Sequence, residues 1–181
     1  MKFYSILIIL NIIFIFSVQA DDICTAQKPN PIIKSVQLSK LKNYKIIEKP
    51  ISKKNLGYYL TESFSLLNGQ VVKIEQGGCA HFTSKYIFKL NEKLEKKPFD
   101  VSKWIAKTKF LINQMIENGV NLFGIEQLEK MSKSKSKLSI VESEKLDIEF
   151  RDDNGFKINK IEVKQLKNNM IELIYFESYA L

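Results

Sequence analysis

After residue 56 the chain alternates apolar and polar side chains with a period of two. Tyr58, Leu60, Phe64 and Leu66 share one face, the signature of a strand with one side in a core. Asn68-Gly69 follows, a pair that tolerates positive φ and marks a hairpin. Residues 71–75 form the expected return strand, and Gln76-Gly77-Gly78 a turn or bulge. Residues 80–90 make a third strand, with Phe82, Tyr86, Phe88 and Leu90 on one face and His81, Thr83, Lys85 and Lys89 on the other.

From residue 101 the period lengthens. Val101, Trp104, Ile105, Leu111, Ile112, Met115 and Ile116 fall on one stripe at helical spacing, as in a helix that buries one side. Asp100 is placed to cap its start, and Gly119 sits where a left-handed C-cap belongs. A shorter helix is expected over 122–131. Period two then returns, with Leu146, Ile148 and Phe150 inward and Asp147 and Glu149 outward. Asp152-Asp153-Asn154-Gly155 and Asn168-Asn169 are turns. Residues 170–179 are apolar on both faces, as befits a strand inside a sheet. The fold class expected is α+β: two antiparallel β-meanders (about 57–90 and 145–179) flanking a central amphipathic helix (about 101–118). The two meanders also share wording, Asn68-Gly69-Gln70-Val71-Val72-Lys73-Ile74-Glu75 against Asn154-Gly155-Phe156-Lys157-Ile158-Asn159-Lys160-Ile161-Glu162. An internal duplication and coincidence in a Lys- and Ile-rich chain both account for that likeness.

The first twenty residues follow a different logic. Lys2 precedes an apolar run from Phe3 to Val18, which ends in Ser17-Val18-Gln19-Ala20. A charged start, an apolar middle and a small-residue exit describe a secretory signal peptide cut after Ala20. The run is shorter than the ~20 residues a spanning helix needs. Asp21-Asp22-Ile23 before Cys24 exclude a lipidated cysteine. No later stretch of the sequence is long and apolar enough to span a bilayer, so the mature chain is expected to be soluble, and the signal peptide to send it to the periplasm or beyond the cell. Residues 21–56, broken by Pro29, Pro31 and Pro50, read as an extended N-terminal arm with at most short strands or a helical turn. Residues 57–181 read as one domain.

Export changes the meaning of the two later cysteines. In an oxidising compartment Cys24 and Cys79 are expected to pair, a loop closure that constrains the unfolded chain by roughly 4 kcal/mol. The segment Gln76-Gly77-Gly78-Cys79-Ala80-His81-Phe82 is the most distinctive in the chain and holds its single histidine. A thiol enzyme would need a free Cys79 within reach of His81. On a strand such neighbours lie about 6.5–7 Å apart, and pairing with Cys24 would remove the nucleophile. One Cys and one His also make only half of a tetrahedral metal site. No phosphate-binding loop, dinucleotide fingerprint or hydrolase elbow occurs, and no cofactor is implied. Glu62 falls on the apolar face of its strand, where a carboxylate needs a lysine, a backbone partner, an edge or a ligand.

Charge points to the partner class. The formal net charge is +8, and Arg151 is the only arginine. Lysine attracts anions diffusely, whereas arginine forks onto them. The expected function is therefore an exported, non-catalytic binding protein of the cell envelope: an inhibitor, an immunity-type protein or an envelope-associated factor. Its partner would be an acidic protein or an anionic polymer, with no nucleic acid. The candidate binding residues are His81, Lys85 and Lys89 on one sheet face, and Lys133, Lys135 and Lys137 in the Ser/Lys stretch at 131–137. An envelope hydrolase or thiol enzyme using Cys79 and His81, and a structural subunit of a secreted assembly, are the alternatives.

Overall fold

The computed structural model describes residues 29–49, 58–78, 81–95, 99–120, 122, 125–133, 138–142, 145–151 and 157–180. The expected signal peptide, Cys24, Cys79, Lys135, Lys137 and the turn at 152–155 lie outside them.

The strands, in chain order, are β1 (Lys42–Glu48), β2 (Tyr58–Ser65), β3 (Val71–Gly77), β4 (His81–Leu90), β5 (Leu138–Glu142), β6 (Lys145–Arg151), β7 (Lys157–Gln165) and β8 (Ile171–Ala180). Two helices, α1 (Val101–Glu117) and α2 (Ile125–Lys133), lie between β4 and β5. The strands form one sheet in the order β1-β2-β3-β4-β8-β7-β6-β5, antiparallel at every junction.

This arrangement corrects the expected fold class. The meanders do not flank a central helix; they join along β4 and β8 into a single sheet, and the protein is mainly β. The physical reason lies in those two strands. Each runs ten residues, and each would leave a full edge of N–H and C=O groups unpaired in a separate meander. Buried backbone groups need partners, and pairing β4 with β8 supplies them along both strands. β8 is flanked by β4 and β7, where its two apolar faces are both useful.

The alternating pattern decides which face is the core. Phe64 on β2, Val72 and Ile74 on β3, and Tyr86 and Phe88 on β4 point to one face. Leu146 and Ile148 on β6, Ile161 and Val163 on β7, and Leu173 and Tyr175 on β8 point the same way. They form one core with Trp104, Ile105, Leu111, Ile112 and Met115 of α1, so α1 covers this inner face alone. At 25 cal/mol per Å² such burial is the main stabilising term. Trp104 is completely buried. Ile116, at the margin of the expected stripe, is exposed instead.

Local chemistry sets the ends of these elements. Asp100 accepts the Lys103 N–H at 3.1 Å, closing the first turn of α1. Gly119 takes φ +86° past its end, and the Gly119 and Val120 N–H groups donate to the carbonyls of Ile116 and Met115. In the β2–β3 hairpin only Gly69 has positive φ, at +84°. The loop is closed by Leu66 N–H on Gln70 O (2.9 Å) and Gly69 N–H on Leu66 O (2.9 Å). Asn68 contributes its side chain rather than a left-handed backbone. Its Oδ1 accepts from Gln70 N–H, and its Nδ2 donates to Gln114 of α1 at 3.0 Å.

One line of register partners crosses the whole sheet: Ile46, Glu62, Ile74, Tyr86, Tyr175, Ile161, Ile148 and Leu138. It reads almost identically from either edge. Tyr86 and Tyr175 meet at its centre with stacked rings, 5.9 Å apart between centroids. The pairing order is thus symmetric about the β4–β8 junction, and Glu62 stands where the other half has Ile148.

Candidate functional site

Glu62 is fully buried at that asymmetric position. Among the described residues no lysine pairs with the buried carboxylate. Its Oε2 accepts the Ile32 N–H at 2.8 Å, and its Oε1 accepts the Ile33 N–H at 3.0 Å and the Tyr44 hydroxyl at 3.0 Å. Charge-assisted bonds of this kind are stronger than neutral ones. Burial, and then the Glu62 charge, push the Tyr44 phenol well above its ordinary pKa. The carboxylate therefore clasps residues 32–33 to the sheet, with Ile33 packed into the core. A 3-10 turn at Ser35–Lys40 then turns the chain into β1.

β1 is one edge of the sheet and pairs only with β2. Its register is irregular between Lys42 and Lys45, where Asn43 takes φ +55°. From Lys45 to Glu48 it is regular. Every residue of β1 except Tyr44 is exposed, including Ile46 (41%) and Ile47 (58%). Lys40, Lys42, Lys45 and Lys49 are exposed as well, and among the described residues they make no ion pair.

The N-terminal segment that contains this margin holds most of the protein's net positive charge. Residues 21–56 carry eight lysines against Asp21, Asp22 and Glu48, a net of +5. Residues 57–181 carry nineteen basic side chains against seventeen acids, a net of +2. The overall charge is that of the N-terminal segment, added to a nearly neutral body. Summing charge by segment reveals this from the sequence; the total conceals it.

The residues singled out from the sequence are placed elsewhere. Lys85 and Lys89 lie on the outer face, in register with Glu75 and Phe176 and with Glu172 respectively. An acid stands in register with each of them, Glu75 and Glu172. His81 begins β4, opposite Ala180. Lys133 ends α2, which packs on α1 on the other side of the sheet. Of the second group only Lys133 lies among the described residues. The remainder of the outer face is neutralised internally. Lys145 and Lys160 contact Asp147 at 3.1 and 3.2 Å, and Lys160 lies 3.2 Å from Glu162, which also pairs with Lys164. Burial tends to raise the Glu162 pKa, but Lys164 and Lys160 together hold it below the ordinary range.

The inner face has a second polar feature. The register line Gln76, Ser84, Glu177, Asn159 runs beside the tyrosine pair, and all four side chains are buried. Tyr86 donates to Glu177 at 3.3 Å and Tyr175 to Asn159 at 3.0 Å. Gln76 Oε1 is buried without a hydrogen-bond partner. The line supplies acceptors and hydroxyls. Its serine and carboxylate have no histidine between them among these partners, so it is not a triad. Among the described residues no group of three or more His, Cys, Asp or Glu side chains is placed to hold a metal, and no helix is long and apolar enough to cross a membrane.

Compared with known protein families, with curated proteins and with solved structures, the chain matches none.

Proposed function

We propose that this chain is an exported, non-catalytic binding protein of the cell envelope that engages an acidic protein through its N-terminal margin. One observation carries the reading: a net +5 in residues 21–56, with Lys40, Lys42, Lys45 and Lys49 exposed along one edge of an otherwise charge-balanced sheet. Fixed positive charge on a rigid edge attracts anionic partners and speeds their encounter. Exposed Ile46 and Ile47 beside those lysines favour a protein over a polysaccharide or polyphosphate, because apolar side chains add nothing to a purely ionic contact. Export follows from the signal-like first twenty residues. In that compartment Cys24 and Cys79 pair. Eight residue-to-residue steps lead from Cys24 to the clasped Ile32, a reach of up to about 28 Å, which is ample for the end of β3.

The test is a binding titration of the secreted, oxidised protein with end-capped poly-L-glutamate, set beside the variant K40E/K42E/K45E/K49E. Binding that weakens with salt and vanishes in the variant supports the reading. Undiminished binding by the variant sinks it. Mass analysis of the same material tests export and the disulfide: an Asp21 terminus with both thiols oxidised is expected. A Met1 terminus with free, readily alkylated Cys79 returns the thiol-enzyme alternative.

A further inference from the structure

We infer that β1 takes up an acidic, extended polypeptide segment as an additional antiparallel or parallel strand, so that the partner is bound through its backbone as well as its charge. The inference rests on the acidic-partner reading above and specifies its mode.

Among the described residues β1 ends the sheet, so alternate residues turn their N–H and C=O groups away from β2, with no described strand beyond them. Such an edge is a template for strand addition. Natural edges are usually blunted by bulges, lysines, proline or extreme shortness. Here the blunting is partial. The irregularity is confined to residues 42–45, while Lys45–Glu48 keeps regular pairing with Ser63–Leu60. Within that regular stretch Ile46 shares the inner face with Glu62, and Ile47 shares the outer face with Thr61. Both remain exposed. An incoming strand would cover one isoleucine on each face, and its alternate side chains would stand beside Lys45 on the outer face.

The edge is also held rigid, which lowers the entropy lost on binding. Its Tyr44 is anchored to Glu62, the same carboxylate that fixes residues 32–33. Charge selects the occupant. A second copy adding through its own β1 would bring the lysines of both edges together. An acidic segment is complementary to Lys40, Lys42, Lys45 and Lys49, which outnumber Glu48, the one acid between Lys40 and Lys49. Lysine on the edge therefore acts as a filter, repelling like edges and admitting acidic ones.

The probe is an end-capped peptide of alternating Glu and Val, long enough to pair with residues 44–48. Its control is the same peptide N-methylated at every residue, which keeps the charge and removes the donors. Affinity is read by fluorescence anisotropy on the whole secreted protein, and backbone protection by amide exchange. The unmethylated peptide is expected to bind at least about tenfold more tightly than its control, and to slow exchange within residues 44–48. Equal binding of both peptides, lost in the four-lysine variant, overturns strand addition while leaving the acidic-partner reading intact. Binding of polyphosphate but of neither peptide overturns both. Concentration-dependent self-association that the peptide does not displace assigns the edge to a second copy and overturns the inference.

Discussion

The two halves of the sheet, β1–β4 and β5–β8, follow one plan, and Glu62 in the first is held in the opposite way to Asp147 and Glu162 in the second. In the first half Glu62 falls in phase with Leu60 and Phe64, so the strand that buries them buries it too. A long, flexible lysine does not satisfy it. Two backbone N–H groups and a tyrosine do. In the second half Asp147 and Glu162 fall out of phase with the core positions, on the outer face, and lysines reach them from neighbouring positions. One shift of a single residue relative to the pleat turns an outer-face ion pair into a structural clasp. The clasped half also carries the lysine-bearing edge at Lys40, Lys42, Lys45 and Lys49.

Substitutions can break this contrast, and the largest effect comes from exchanging the counterparts. Ile148→Glu puts a carboxylate into the core with no donors arranged for it, and is expected to cost several kcal/mol, on the order of 4 or more. Loss of a cooperative denaturant transition would be the readout. Glu62→Ile, the reverse exchange, leaves two N–H groups and a hydroxyl without their acceptor. It should cost about 3 kcal/mol and raise amide exchange at Ile32 and Ile33. An unchanged exchange rate there would show that the clasp does not hold the arm.

Smaller changes sharpen the same contrast. Tyr44→Phe removes one of three bonds to Glu62 and should cost about 1 kcal/mol. The raised Tyr44 pKa adds a pH signature. Stability held by the neutral phenol is complete below the unfolded value near 10 and is lost as pH rises above it. The wild type should therefore show a steeper alkaline limb than Tyr44→Phe. Glu162→Gln on the outer face should cost less than about 1 kcal/mol. Because the Glu162 pKa is lowered, its contribution is present above the unfolded value of about 4.3 and fades as pH falls below it. Denaturant midpoints measured from neutral to acid pH should show this fall in the wild type and a shallower one in the variant. High salt should also narrow the Glu162 difference and leave the Glu62 difference in place.

Much of the fold is legible in the residues. The strands at 58–65, 71–77 and 145–151 follow from alternation, and α1 follows from its stripe and its capping Asp100. The double-sided apolar character of residues 170–179 marks an interior strand. The partner of that strand is not legible. β4 and β8 are about ninety residues apart, and no periodicity connects them. The candidate surface divides in the same way. Lysine content by segment points to residues 21–56, whereas attention to His81 and the Gly-Gly-Cys segment led to Lys85 and Lys89, which face acids across the strands.

Local interactions repeat within a few residues, so alternation and helical stripes declare strands, helices and the face each one buries. They also declare Glu62 as an acid out of place. Which backbone comes to meet it, and whether two meanders stand apart or merge, depends on contacts between distant segments. Those contacts are chosen by the need to pair every buried polar group at once, a condition that only the assembled sheet can satisfy.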